Sequence, residues 1–445
     1  MNRLLSSVIV FATALCSTAL AQDTRNVTEP KIPPFCATLD AHLTSVFDGN
    51  FNTLAPADES KLDTGRIQKA IDSCAKGKAV ALEVHNNANA FLSGPLQLRE
   101  GITLVVDKGA TLFQTLDQSL LGPPLISVTD VSGAGVMGDG VIDGRGGEKY
   151  VGKTISAWDH AGGPLSRLIV CNHADNFTLY RITLKNSPNF HVVYNGGDGF
   201  TVWGVKIDTQ QRGSPNTDGI DPGRGSKNIT ITHSYIRAGD DNVAIKGGGP
   251  GELTNMTVSH NHFYWGHGMS IGSETNGGVS KLRVFDLSLD GPDSGIRIKS
   301  MGTRGGLVHD VVYSDICIRN AVKRPIDITM AYASNGPVKG PSPPTFRDVT
   351  LRNVRVSGGG GDPTILFDGY DHDHRAQITL DGVWLTDAAN AAKPYTYKFD
   401  YADITYGAGG SNIQLPTPAT DVTITGKPSE GKPDSCADMF VPFPQ

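Results

Sequence analysis

None of the six cysteines of this chain falls in a C-x-x-C pair, which argues against a zinc or dithiol redox centre. Excess positive charge is absent too. The formal net charge is −6, so nothing in the overall balance favours nucleic acid. A polyanionic substrate would have to meet cations gathered locally. Hydrophobic residues make up only 38% of the chain and aromatics 7%, which is little for one large globular interior. Beyond the start of the chain, no apolar run reaches the roughly 20 residues of a membrane helix. Helical periodicity is nearly missing as well.

Glycine is plentiful, at 53 residues. Many turns and a narrow core account for that better than a wide interior. Residues 1–21 read as a secretory signal: Arg3 gives the positive start, Leu4 to Leu15 the apolar core, and Ala19-Leu-Ala21 the cleavage site. The mature chain is expected to be secreted, soluble and monomeric, with no membrane or nucleic-acid partner. Apart from Cys16 in the signal, Cys36, Cys74, Cys171, Cys317 and Cys436 remain, an odd number. Cys36 with Cys74 suits a staple at the amino-terminal end. Cys171 and Cys317, in strand-like segments, read as buried apolar residues.

Residues 22–60 read as an extended leader, followed by one helix at about 63–76. Asp63-Thr64 offers an N-cap, and Ile67, Ala70, Ile71 and Cys74 share one face. Such a helix can cover the open end of a solenoid. Short strands follow. Phe177, Phe200, Ile229, Met256, Leu282 and Val311 occupy equivalent places about 23 to 29 residues apart, the period of a repeat coil. Asn176, Asn228 and Asn255 each open such a strand in an Asn-x-Thr triplet, and their recurrence favours a structural role. Residues 388–445 read as an irregular tail. The expected architecture is all-β, one parallel β-helix domain over 22–445.

Four polar clusters recur at about the same period: Asn216-Thr-Asp218, Gly239-Asp-Asp241, Gly266-His-Gly268 and Arg297-Ile-Lys299. Residues one coil apart stack at roughly 4.8 Å, so these groups become neighbours. Adjacent Asp240 and Asp241 would face opposite sides of a straight strand. Gly239 is expected to bend it so that both reach solvent. With Asp218 they form a crowded anionic patch, in which one carboxyl keeps a proton while others stay ionised. Acid/base hydrolysis of a glycosidic bond needs that separation. Arg297 and Lys299 alternate around Ile298 and share a face, where they can grip a carboxylate. An acidic turn, a calcium site or internal salt bridging would use the same residue types.

The segments Ser214-Pro-Asn-Thr-Asp-Gly-Ile-Asp-Pro222, Gly239-Asp-Asp-Asn-Val-Ala-Ile-Lys246, Gly266-His-Gly-Met-Ser-Ile-Gly-Ser-Glu274 and Gly295-Ile-Arg-Ile-Lys-Ser300 resemble the signature motifs of the polygalacturonases, family 28 of the glycoside hydrolases. The resemblance runs from about the capping helix to Val356. It implies a right-handed parallel β-helix that hydrolyses α-1,4 links of polygalacturonate with inversion and without cofactor or metal. Carried over position by position, Asp240 is the general acid, Asp218 and Asp241 activate water, and His267 tunes the acid. Arg297 and Lys299 grip a galacturonate carboxylate, Asn216 orients Asp218, and Tyr332 stacks on sugar. With no obvious extra domain or long insertion to wall off the groove, the expectation tilts to internal cleavage. Two rivals remain at this stage: a calcium-dependent pectate lyase, and a non-catalytic polysaccharide-binding β-helix.

Overall fold

A computed structural model describes residues 22–159, 165–333, 337–386, 393–431 and 433–444. The expected signal at 1–21 lies outside them. Among the described residues 31 strands join one sheet, each paired in parallel with a strand one coil away. The chain is therefore a parallel β-helix.

The ladder expected from periodicity is present in register. Phe177 pairs with Phe200, and then Ile229, Met256, Leu282 and Val311 follow one coil at a time. It runs on through Val349 to Ile378. These side chains form the narrow core. Asn176, Asn228 and Asn255 sit where the chain turns into this ladder, with φ of 50°, 55° and 59°. Asparagine tolerates the left-handed region better than most residues. The Asn228 amide also donates to Asp198 Oδ1 at 2.7 Å. The triplets thus mark corners of the coil.

A second ladder carries the site. It comprises Ile169–Asn172, Val192–Asn195, Ile220–Gly223, Val243–Ile245, Met269–Gly272, Ile296–Lys299, Ile326–Thr329 and Thr364–Asp368. Alternate residues enter the core, such as Val243, Met269, Ile296 and Ile326 in one stacked row. Their neighbours Ser270, Arg297 and Asp327 form the opposite row.

The helix spans Thr64–Ser73 and buries Ile67 and Ile71 against the first coils. It is shorter than expected because Cys74 turns extended to form the disulfide with Cys36. Asp63 stands at the N-cap, where its carbonyl accepts from Ile67 N–H at 3.0 Å, but its side chain makes no cap bond. Its carboxylate instead accepts from Leu92 N–H at 2.9 Å and pairs with Arg66 at 2.7 Å.

Three expectations are corrected here. The leader contains a strand, Phe35–Asp40, which pairs with Lys78–Glu83 as the first rung. Its mixed, half-exposed pattern belongs to an edge, and this hides it in the sequence. The tail is not irregular throughout, since Thr396–Tyr406 and Thr420–Thr425 add parallel rungs. Phe399, Ala402 and Ile404 turn inward there, but tyrosines and aspartates between them mask the alternation. Cys317 is not a free core residue. It is bonded to Cys436, which ties the end of the chain back to the solenoid wall, whereas Cys171 is buried and free.

Candidate active site

The first three polar clusters lie on the turns that lead into the second ladder, and Arg297 and Lys299 lie on its Ile296–Lys299 strand. Thr217 Oγ1 donates to Ser214 O at 2.7 Å and accepts from Gly239 N–H at 3.0 Å, locking two successive turns together. A Cβ at position 239 would lie 2.2 Å from Ser214 Oγ and 2.4 Å from Ser214 O. Glycine is required there for close approach of the coils. It does not bring both aspartates to solvent, as expected from sequence.

Asp240 and Asp241 part company at this turn. The Asp240 side chain keeps 21% exposure and faces the groove, while Asp241 is 1% exposed. Burial alone would push the Asp241 carboxyl up. Lys299, Lys246 and Arg297 outweigh that and hold it well below the ordinary carboxylate range. Its oxygens take the Lys299 ammonium at 2.8 Å, the Ser270 hydroxyl at 2.7 Å and the Arg297 guanidinium at 3.5 Å. Asp241 is a firmly ionised buried base.

Asp218 is also buried, and Lys246 Nζ donates to its Oδ2 at 3.1 Å. Burial raises its pKa to about 7 in spite of that ammonium. Asp221, on the adjoining strand, lies 3.9 Å from the same Lys246, and neither of its oxygens has a hydrogen-bond partner. Burial and the nearby Asp218 charge push it well above the usual range.

His267 Nδ1 lies 2.9 Å from Asp240 Oδ1 and 3.9 Å from Asp241 Oδ1, and its Nε2 lies 3.4 Å from Asp293 Oδ2. Burial opposes a charge on the ring, but the hydrogen bonds to Asp240 and Asp293 and the field of Asp241 raise its pKa to about 9. Burial also pushes Asp240 upward, and the hydrogen bond from His267 reverses it, leaving Asp240 lowered. In the free protein the carboxyls raised above the usual range are therefore Asp218 and Asp221, not Asp240.

Arg297 and Lys299 share a face over buried Ile298, as expected. The ring of Tyr332 lies 5.3 Å from Arg297 Cζ and 5.4 Å from Lys299 Nζ, so it joins the site. Asn216 stands on the exposed lip with φ of 55° and faces the depression lined by Arg167 and Phe190. Lys246, rather than Asn216, holds the Asp218 carboxyl. A groove extends on either side. Towards the carboxyl-terminal coils it is lined by Arg297, Lys323, Arg324 and Tyr332, and towards the amino-terminal coils by Arg167, Phe190, Arg224 and Lys246. Cations thus line two depressions, among carboxylates such as Asp221, Asp327 and Asp362.

Lys246, Asp221 and Asp293 were not singled out from the sequence. The first two stand inside quoted motifs, and Asp293 two residues before Gly295. Asp240, Asp241 and His267 offer three ligand atoms within 4.8 Å of one another. They suit a cation poorly, because Asp241 is already neutralised by Lys299 and Arg297, and the imidazolium has no lone pair to give.

A family model described as glycosyl hydrolases family 28 matches residues 74–399. A polygalacturonase of Ralstonia nicotianae is 37% identical, the match covering 94% of this chain and 92% of that protein. An endo-polygalacturonase of Pectobacterium carotovorum subsp. carotovorum is 38% identical over 86% of this chain and 95% of its own. The solved structure of a polygalacturonase from Erwinia carotovora ssp. carotovora superimposes with a TM-score of 0.68 at 35% identity, covering 92% of this chain and 100% of that one. The fold, the stacked motifs and these matches together place the chain in family 28 of the glycosyl hydrolases, to which it belongs.

Proposed function

We propose that this chain hydrolyses α-1,4-galacturonosidic bonds within de-esterified pectin, with inversion at the anomeric carbon. The observation that carries this reading is the layered pair of aspartates. Asp241 lies ionised beneath the surface on Lys299, and Asp240 stands above it in the groove against His267. Asp241 takes a proton from the attacking water, whose oxygen bonds to the anomeric carbon. Asp240 gives a proton to the leaving oxygen as the glycosidic bond breaks. In the free enzyme that proton rests on His267, and the two groups titrate as a pair. Among the three aspartates only Asp240 is open enough to reach a leaving group, and geometry ranks before pKa in choosing an acid. Asp218, half-protonated near neutrality, orients the water beside Asp241.

Arg297 and the groove cations bind substrate carboxylates, with Tyr332 stacking on a sugar face. Cations on both sides of Asp240 support binding in mid-chain and internal cleavage. The endo name of the Pectobacterium relative supports this too. Export to the cell exterior is supported by the signal-like segment at 1–21 and by two disulfides, which persist in oxidising compartments. No helix among the described residues is long and apolar enough to cross a membrane. We further read the protein as a monomer.

The reading is tested by incubating the protein with polygalacturonate and sizing products over time. Internal cleavage yields a broad set of oligomers while most of the polymer is still long. Release of monomer or dimer from the first minutes would replace it with end-wise cleavage.

A further inference from the structure

His267 is held between two coils by backbone as well as side chain. Its N–H donates to Asp240 O at 2.8 Å, and Gly266 O accepts from Asp293 N–H at 2.6 Å. Gly266 and Gly268 have φ of 122° and 76°, and a Cβ at 268 would lie 2.0 Å from Ser294 O. The turn is therefore packed hard against the coil that carries Asp293. The ring follows, with Nδ1 2.9 Å from Asp240 Oδ1 and Nε2 3.4 Å from Asp293 Oδ2. A neutral imidazole has one N–H and would turn a lone pair toward one of the two carboxylates. Only the imidazolium satisfies both. Asp293 is itself fixed by Lys323, whose Nζ lies 2.7 Å from the same Oδ2.

We propose that Asp293 is a positioning residue for the reaction: it holds His267 as the imidazolium, so that the Asp240–His267 pair reaches the substrate carrying the proton that the leaving oxygen needs. This rests on the reading of Asp240 as the acid. As the glycosidic bond breaks, its electron pair goes to the leaving oxygen, which takes the proton of Asp240. Asp240 draws its proton from His267 Nδ1, and the ring is left neutral with its remaining proton on Nε2, facing Asp293. Asp241 releases to solvent the proton it took from water, and His267 regains one from solvent. Atoms and charge balance over the cycle.

The groups facing the ring are Asp240, Asp241 and Asp293. Behind them stand Lys299 and Arg297 on Asp241, and Lys323 on Asp293. Their sum, less the cost of burial, raises His267 to about 9. Burial is the largest single effect on the ring and opposes its charge, so losing one of the three carboxylates matters. Asp293 is the one of them outside the bond-breaking steps.

The test uses Asp293→Asn and Lys323→Met in the full chain. Two quantities are followed against pH: kcat/KM on polygalacturonate, and the His267 ring by NMR. Asp293→Asn should move the His267 titration and the alkaline limb of kcat/KM downward together by about one unit, a loss of about tenfold on that limb. On the plateau kcat should stay near the parent value. Lys323→Met frees Asp293 for His267 and should move both upward, and it carries the test alone if Asp293→Asn fails to fold. Asp293→Glu should recover part of the shift. A uniform loss at every pH with the His267 titration unmoved would overturn the proposal, as would a moved titration with a fixed limb. Failure of the parent enzyme to cleave polygalacturonate would instead strike the underlying reading of the acid.

Discussion

Lys299 Nζ lies 2.8 Å from Asp241 Oδ2, and both side chains are almost wholly removed from solvent, at 6% and 1% exposure. The lysine is thus committed to the carboxylate and is not a free hand for substrate, as its place beside Arg297 first implies. Changing Lys299 to Met leaves Asp241 buried with Arg297 at 3.5 Å and His267 at 3.9 Å as its nearest remaining cations. Breaking one partner of a buried pair costs about 3–5 kcal/mol. Thermal unfolding at pH 7 should record a clear drop in Tm as well as lost activity. The deficit should narrow in acid, where Asp241 without its lysine takes up a proton. An unchanged Tm would return Lys299 to a purely substrate-binding role.

Arg297 stands differently. It lies 3.5 Å from Asp241 and beside the Tyr332 ring, with 13% exposure toward the groove. Arg297→Met should cost about 1.5–3 kcal/mol of binding, one to two decades in KM, with a smaller change in Tm than Lys299→Met. A kcat loss without a KM change would place it in the bond-breaking step instead.

Asp240→Asn keeps the shape of the side chain but delivers no acid proton. Turnover should vanish while oligogalacturonate still binds, as read by calorimetry. Residual turnover within about tenfold of the parent would show that another group protonates the leaving oxygen.

His191 is buried beneath Asp218, with Nδ1 2.9 Å from Asp218 O and Nε2 2.8 Å from Thr209 Oγ1. Burial lowers its pKa to about 4. The unfolded chain then binds a proton near pH 6.5 that the folded chain refuses until about pH 4. Stability is therefore present above pH 6.5 and lost as pH falls through this window, by up to about 3 kcal/mol from this group. His191→Gln should flatten the fall of Tm between those values. An identical slope in the variant would assign the acid sensitivity to other groups.

The solenoid was legible because its core repeats one residue at a time. Phe177, Phe200, Ile229, Met256, Leu282 and Val311 pair in the order that their spacing gives. The terminal rungs were not legible. Phe35–Asp40 is an edge whose side chains stay largely exposed, and Thr396–Tyr406 hides Phe399 among polar neighbours. In the site, ladder stacking brings Asp218, Asp240, Asp241, His267, Arg297 and Lys299 together. What the period does not tell is which side of a turn each carboxylate takes. That depends on Ser214 and Thr217 pressing against Gly239, and it sends Asp241 inward and Asp240 outward. Which carboxyl keeps the proton is hidden too, since the charges of Lys246 and Asp293 come from residues that carry no signal on their own.

Turnover should not depend on calcium, because Asp241 already has its cations and His267 has no lone pair to lend. Adding excess chelator to a polygalacturonate assay should leave the rate of reducing-end formation unchanged. Calcium-dependent growth of ultraviolet absorbance from unsaturated sugars would mean elimination instead of hydrolysis.

The central claim is that Asp241 and Asp240 act on opposite faces of the bond through a water molecule, with no covalent intermediate. Proton NMR of the first product formed, recorded before the anomers equilibrate, tests it most directly. Inversion predicts a β-anomer at the new reducing end of an α-linked substrate. An initial α-anomer would mean that one of these aspartates attacks the sugar itself, and would contradict the account.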